Sequence, residues 1–216
     1  MTTKEKLQIK QFYENYQFRE AADYLSALLN TTDEDRIALY NLAYSHYCSA
    51  DYSSSLRVMN TILKKSPISD YQIILLAARI YLKCHYYNRA EKLLLYIISE
   101  SKTASEALAL LCVYYFLVGD DNKSRIFYDR AKNSDSESPG FIVADARLSL
   151  YMKKKKKEGD ALDMTLTHTT GEHHLAAIRA LYYLQHKNKR AARKEVMAVN
   201  SNFPEDVRKA FICMGV

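Results

Sequence analysis

The sequence predicts an all-α protein, a solenoid of stacked helical hairpins, and three observations carry that reading. A pattern of small and large apolar residues recurs about every 34 positions, apolar residues fall at helical spacing, and helix-breaking residues are scarce. Five glycines and three prolines (Pro67, Pro139 and Pro204) are spread over 216 residues, with no glycine-rich phosphate loop and no series of hairpin-turn dipeptides. Apolar residues make up 48% and charged residues 26%, the composition of an ordinary globular protein.

The repeat marker is a small residue followed by apolar residues four and seven positions on. It reads Ala21, Leu25, Leu28; Ser55, Met59, Ile62; Ala90, Leu94, Ile97; and Ser124, Tyr128, Ala131. The small residues stand 34, 35 and 34 apart. Twelve positions before three of them lie Ala43, Ala78 and Cys112, each with an apolar residue four positions earlier, Leu39, Ile74 and Leu108. Such pairs describe antiparallel helices: small side chains let the backbones approach at the crossing, and larger ones fill the grooves beside it. Six hairpins are expected at 3–30, 33–65, 70–100, 104–134, 138–168 and 171–201, with a terminal helix over 204–214 covering the last apolar face.

Local signals mark these boundaries. Ser69 with Gln72, and Thr103 with Glu106, have the spacing of a capping box. Ser138-Pro139 and Phe203-Pro204 place proline at a first helical position, where its missing donor costs nothing. From Ser124 to Ala161 the marker spacing stretches to 37, which predicts about three extra residues near Ser134 to Ser138 and a small break in the stacking.

These motifs resemble the tetratricopeptide repeat family. Leu39-x-x-Leu42-Ala43, Ser55-x-x-x-Met59-x-x-Ile62 and Pro67 follow its pattern, and Ala180, Tyr183, Ala192, Val196, Val199 and Pro204 repeat it in the last unit. The resemblance implies a right-handed superhelical solenoid of about six hairpins in a single domain over 1–216, with an atypical fifth unit around 138–168 and a capping helix at 204–214. It also implies that the first helix of each pair lines a concave face where other proteins bind. On that implication the groove residues are Tyr13, Tyr40, Tyr44, Tyr47, Leu75, Arg79, Leu82, Val113 and Phe116, continued by Ala109, Leu150, Ala177 and Leu181. So aromatic and aliphatic a groove suits an amphipathic helix or an extended segment with apolar anchors. For the tyrosines a second reading stays open, that they pack against neighbouring units. Some family members clamp a terminal carboxylate with lysines and asparagines. That set is not reproduced: Lys6, Lys10 and Asn41 are present, but the third unit offers Gln72 and Leu76.

Charge is distributed unevenly. Residues 1–150 hold 18 Lys+Arg against 18 Asp+Glu, whereas residues 151–216 hold 13 against 7, so the net +6 lies in the last third. It concentrates in Lys153, Lys154, Lys155, Lys156 and Lys157, and in Lys187, Lys189, Arg190, Arg193 and Lys194, at the turns of the fifth and sixth hairpins. Neighbouring turns would merge these runs into one basic edge. It reads as solvated turns, as a surface for an acidic protein partner, or as a surface for nucleic acid or an anionic membrane. The runs lack the interleaved aromatics and glycines that nucleic-acid binding favours.

Nothing in the sequence assembles a catalytic constellation, and no enzyme activity, metal or cofactor is expected. The six histidines lack paired ligand spacing; His168, His173 and His174 come nearest, around a Thr-Thr-Gly turn. No Walker loop or nucleophile elbow occurs. Cys48, Cys84, Cys112 and Cys213 lie far apart and are expected to be small, buried and reduced. With no apolar run near the roughly 20 residues of a bilayer span and no secretory leader, membrane insertion is not expected, and a cytoplasmic or other reducing compartment is. The expected function is a protein–protein interaction scaffold or holding chaperone for an apolar or amphipathic client segment, in the manner of small tetratricopeptide secretion chaperones. The alternatives are a structural subunit of a large assembly, which could form a homodimer, and a nucleic-acid binder acting through the basic edge.

Overall fold

Thirteen helices account for the regular structure among the described residues. The computed structural model describes residues 1–30, 35–65, 70–100, 104–166, 172–199 and 203–216, and among them there is no strand. The helices are α1 (Thr3–Glu14), α2 (Phe18–Leu29), α3 (Arg36–Cys48), α4 (Tyr52–Lys65), α5 (Tyr71–Lys83), α6 (Tyr87–Glu100), α7 (Ser105–Leu117), α8 (Asp121–Asp135), α9 (Pro139–Met152), α10 (Lys156–Leu166), α11 (Glu172–Gln185), α12 (Lys189–Val199) and α13 (Glu205–Met214). The odd-numbered helices begin 33 to 35 residues apart along the whole chain, so the expected all-helical repeat is present. Two compact units result, Met1–Ile97 and Ile98–Val216.

All six hairpins turn in the same way. Tyr16, Ala50, His85, Gly119, Lys154 and Lys187 each adopt positive φ, between 57° and 81°, two residues beyond the end of a first helix. Each turn carries the paired bonds of a Schellman motif: the Ala50 amide donates to Tyr47 O (3.1 Å) and the Asp51 amide to His46 O (2.9 Å), and Lys154 and Lys155 donate to Tyr151 O and Leu150 O in the same fashion. Glycine is the residue that suits this conformation, yet only Gly119 supplies it. A side chain there costs roughly 1–2 kcal/mol, partly offset by the extra freedom glycine has in the unfolded chain. Ala50→Gly and Lys154→Gly are therefore expected to stabilise by about 0.5–1 kcal/mol each, and Gly119→Ala to destabilise by about 1 kcal/mol, read from urea midpoints. Ala50→Gly lowering stability would contradict the turn assignment.

Small residues lie at the crossings within hairpins. Ser55 Oγ donates to Ala43 O at 2.7 Å, and Ser124 Oγ to Cys112 O at 3.0 Å, both across the twelve-residue offset seen in the sequence. Ala21, Ala90 and Ala192 are buried at the same register. In the fifth hairpin that register is held by Gly159, three residues into α10, not by Ala161. The spacing from Ser124 is thus 35, and the three-residue insertion and stacking break expected near Ser134 to Ser138 are absent; α8 simply runs on to Asp135.

Ala161 is small for another reason. At its place in the other second helices stand Asp23, Arg57, Lys92, Ile126 and Lys194, all exposed, whereas Ala161 is buried. Helix α13 packs chiefly along α10, touching α9 as well, and buries Val207, Ala210 and Phe211. The terminal helix expected to cover the last hairpin thus makes most of its contacts with α10, in the hairpin before.

The helix ends follow simple chemistry. Asp35, Asp70, Asp120 and Ser138 each accept an amide from the first turn of the helix they precede. Ser69, Thr103 and Pro67 lie outside the described residues; α5 is capped by Asp70, and Ala104 precedes α7 without a side-chain bond. Among the described residues Thr2 and Glu5 form a capping box. Pro139 opens α9 as expected, while Pro204 stands one residue before α13 and acts as its N-cap.

Packing explains the two helix types. In α5 every residue from Ile73 to Tyr81 is buried, and α7 is buried from Ala107 to Tyr115, as befits helices that are apolar all round. Second helices keep a narrower apolar stripe, such as Ala90, Leu94 and Ile97 of α6. In the first unit, Ile9, Ala22, Leu25, Ala38 and Leu42 form one core joining hairpins one and two.

Candidate functional site

The predicted groove residues divide by burial. Tyr44, Tyr47, Leu75, Arg79 and Val113 expose no more than 2% of their surface, which closes them to a partner in this structure. Tyr13, Tyr40, Leu82 and Phe116 are half-buried. Ala109, Leu150, Ala177 and Leu181 are buried.

Chemistry in the first unit shows why its tyrosines turn inward. Tyr13 donates its hydroxyl to Asn41 O at 3.1 Å, lies 3.0 Å from Ser45 Oγ, and meets Tyr44 edge-on at 5.3 Å between ring centroids. Phe18 adds an edge contact to Tyr44 at 6.3 Å. These rings stitch α1 and α2 to α3, and burial holds the Tyr13 and Tyr44 hydroxyls protonated well beyond their usual range. Edge-on geometry adds to area burial, because the ring edge is positive and the face negative.

In the second unit a polar triad occupies the equivalent interior. Arg147, 4% exposed, donates to the Tyr151 hydroxyl at 3.0 Å and reaches Asp160 at 3.4 Å, while Tyr151 donates to Asp160 Oδ1 at 2.6 Å. The triad joins α9 to α10, and Phe116 stacks on Tyr151 at 6.1 Å.

One accessible feature of this unit is a cleft of about 360 Å³ between α9 and α11. Its apolar lining comes from Ile142, Ala146, Leu181, Leu184 and Met214. Lys153, Lys187 and Lys189 line it as well, facing one acid, Asp145, which is engaged by the Tyr128 hydroxyl at 2.8 Å. Gln185 Oε1, also of a lining residue, is buried and makes no hydrogen bond among the described residues, leaving an acceptor for an incoming donor. The cleft thus unites Leu181 of the predicted groove with three lysines of the predicted basic edge. Sequence reasoning missed Ile142, Ala146 and Leu184. Ile142 and Ala146 precede Leu150 at helical spacing and Leu184 follows Leu181 by three, so each continues a stripe of which only one part was inferred.

All ten residues of the basic edge are exposed. Lys154 holds the positive φ of the fifth turn and Lys187 that of the sixth. Lys155, Lys156 and Lys157 stand at the start of α10, and Lys189 and Arg190 in the first turn of α12, where the helix dipole repels cations. Lys157 pairs with Asp206 at 3.6 Å, and Arg193 lines a second groove described below.

None of the four cysteines is in a disulfide, but only Cys112 is buried, its thiol pushed up to about 11 by desolvation; Cys48, Cys84 and Cys213 are half-exposed. Among the described residues no three His, Cys, Asp or Glu side chains gather as a metal site, and no helix is long and apolar enough to cross a membrane. His168 and the side chains of His173 and His174 lie outside what is described.

Repeating helical hairpins with shared turn geometry and small residues at their crossings define a tetratricopeptide-type repeat fold. A solved structure agrees: a tetratricopeptide repeat protein from Parabacteroides merdae is similar, with a TM-score of 0.56 at 17% identity over 92% of this chain and 77% of the other. No protein-family model matches the sequence, and no curated protein matches it.

Proposed function

We propose that the protein is an interaction scaffold that holds an apolar or amphipathic segment of a client protein, with the α9–α11 cleft as the anchoring pocket. The carrying observation is the cleft itself: an apolar floor between two first helices, large enough for one or two anchor side chains, with an unsatisfied buried acceptor beside it. The repeat fold supports the general role of protein binding, since stacked hairpins present extended surfaces. Within the same unit Phe116 is half-buried and remains available as a contact residue; Tyr40 and Leu82, also half-buried, belong to the first unit.

The test is fluorescence anisotropy with a labelled amphipathic peptide carrying leucines at helical spacing and a glutamine polar face. Leu184→Asp should weaken binding roughly tenfold or more while leaving helicity intact, because Leu184 is only half-buried. Undiminished binding by Leu184→Asp would refute the cleft as the site. A stable homodimer at low micromolar concentration, broken by the same substitution, would assign the cleft to self-association within an assembly instead.

A further inference from the structure

Helix α13 leaves a second groove in the C-terminal unit, and its chemistry differs from that of the cleft. Packed along α10, it stands apart from α12 across a hollow of about 680 Å³. The apolar lining is Val196 and Met197 of α12, Phe211 and Ile212 of α13, and Val216 beyond it. Met197 is 81% exposed and Ile212 67%, the most exposed large apolar side chains of this groove. Two such residues facing one hollow from adjacent helices form a contiguous apolar strip, which isolated surface apolar residues do not.

Charge flanks the strip on both sides. Arg193 lines it from α12, and Arg208 and Lys209 line it from α13, against the single acid Glu205, which is already paired with Lys209. Lys189, Arg190, Arg193 and Lys194 of α12 form no ion pair among the described residues; the acid of that helix, Glu195, is taken by Arg179 through two contacts of 3.1 and 2.9 Å. Arg208 Nε is buried without a hydrogen-bond partner among the described residues. Cations in the first turn of α12, opposed by the helix dipole, lower the stability of the free protein and would be relieved by a nearby acid.

We infer that this groove docks an acidic amphipathic helix of a partner protein, its apolar stripe on the exposed Met197 and Ile212 and its carboxylates toward Arg193 and Arg208. The flanking helices have 11 and 10 residues, so the groove is about 16 Å long at 1.5 Å per residue and accommodates about three turns. An acidic helix satisfies both features at once: its leucines cover the strip, and its glutamates take the unpaired guanidinium donors. Nucleic acid would leave the apolar strip uncovered, and none of the groove's residues serves the cleft between α9 and α11.

The full chain is titrated with a fluorescent helical peptide bearing leucines at i, i+3 and i+7 and glutamates elsewhere, and with the same peptide carrying lysines for glutamates. The glutamate peptide is expected to bind at least roughly tenfold tighter. Met197→Asp, Ile212→Asp and Arg193→Glu should each weaken it severalfold without lowering the melting temperature, since all three side chains are exposed. The losses caused by Met197→Asp, Ile212→Asp and Arg193→Glu should persist in a Leu184→Asp background, which separates the groove from the proposed client site. Equal affinity for the lysine peptide would overturn the inference, as would wild-type binding by Met197→Asp. It would equally fall if the same surface bound vesicles of phosphatidylserine and phosphatidylcholine or a single-stranded oligonucleotide in preference to the glutamate peptide, or if Met197→Asp converted a wild-type dimer to a monomer.

Discussion

Tyr44→Ala is expected to lower stability by about 3–5 kcal/mol, the range for removing a fully buried aromatic side chain. The residue is 2% exposed and meets both Tyr13 and Phe18 edge-on, so truncation leaves a cavity where hairpins one and two join. The surrounding helices can relax only in part, because Tyr13 is held by its bonds to Asn41 and Ser45. The urea midpoint of the first unit reads the effect, and Tyr40→Ala, half-buried, serves as the milder comparison. A loss under about 1 kcal/mol would return Tyr44 to the surface and to the list of partner contacts.

Gly159→Ala is expected to destabilise by a net of about 1–2 kcal/mol, against the direction helix propensity alone would give. Alanine should gain about 1 kcal/mol over glycine in a helix. Here its Cβ would come within 2.8 Å of Tyr151 Cε1 and 3.1 Å of Cδ1. Tyr151 cannot swing away freely, since its hydroxyl is fixed by Arg147 and Asp160 and its ring stacks with Phe116. Overpacking of this kind costs typically 1–3 kcal/mol, and displacing the ring also loosens hydrogen bonds to a buried guanidinium. Tyr151→Leu should remove most of the penalty of Gly159→Ala, and a double-mutant cycle measures that coupling. A stabilising Gly159→Ala would show that α9 and α10 do not cross so closely.

Much of the fold was legible because periodicity is a property of the whole chain. Hairpin limits inferred from Ala21, Ser55, Ala90 and Ser124 coincide with the observed helices to within a few residues. Two features defeated the reading for identifiable reasons. Gly159 was passed over because Ala161 resembles the repeat marker, although its size reflects the packing of α13 on α10. The six left-handed turns carried no signal because five of them use Tyr, Ala, His or Lys where glycine would announce the turn.

The site was less legible than the fold. In a solenoid the same stripe can meet a ligand or a neighbouring helix, and only three-dimensional packing decides which. Tyr44, Tyr47 and Val113 lie inside, and in the cleft Ile142, Ala146 and Leu181 form a buried floor while Leu184 is half-buried at its rim, a division that no single helix pattern marks. The basic run was visible as composition, but its division between the cleft, through Lys153, Lys187 and Lys189, and the α12–α13 groove, through Arg193, depends on where α13 packs.

Methyl resonances of Ile142, Ala146, Leu181 and Leu184, followed by NMR as the glutamine-faced peptide is added, test the scaffold reading most directly. Saturable shifts at these four, with Leu25 and Leu94 of the interior unmoved, are the predicted result. Absence of shifts at the cleft, or equal shifts throughout both units, would contradict it.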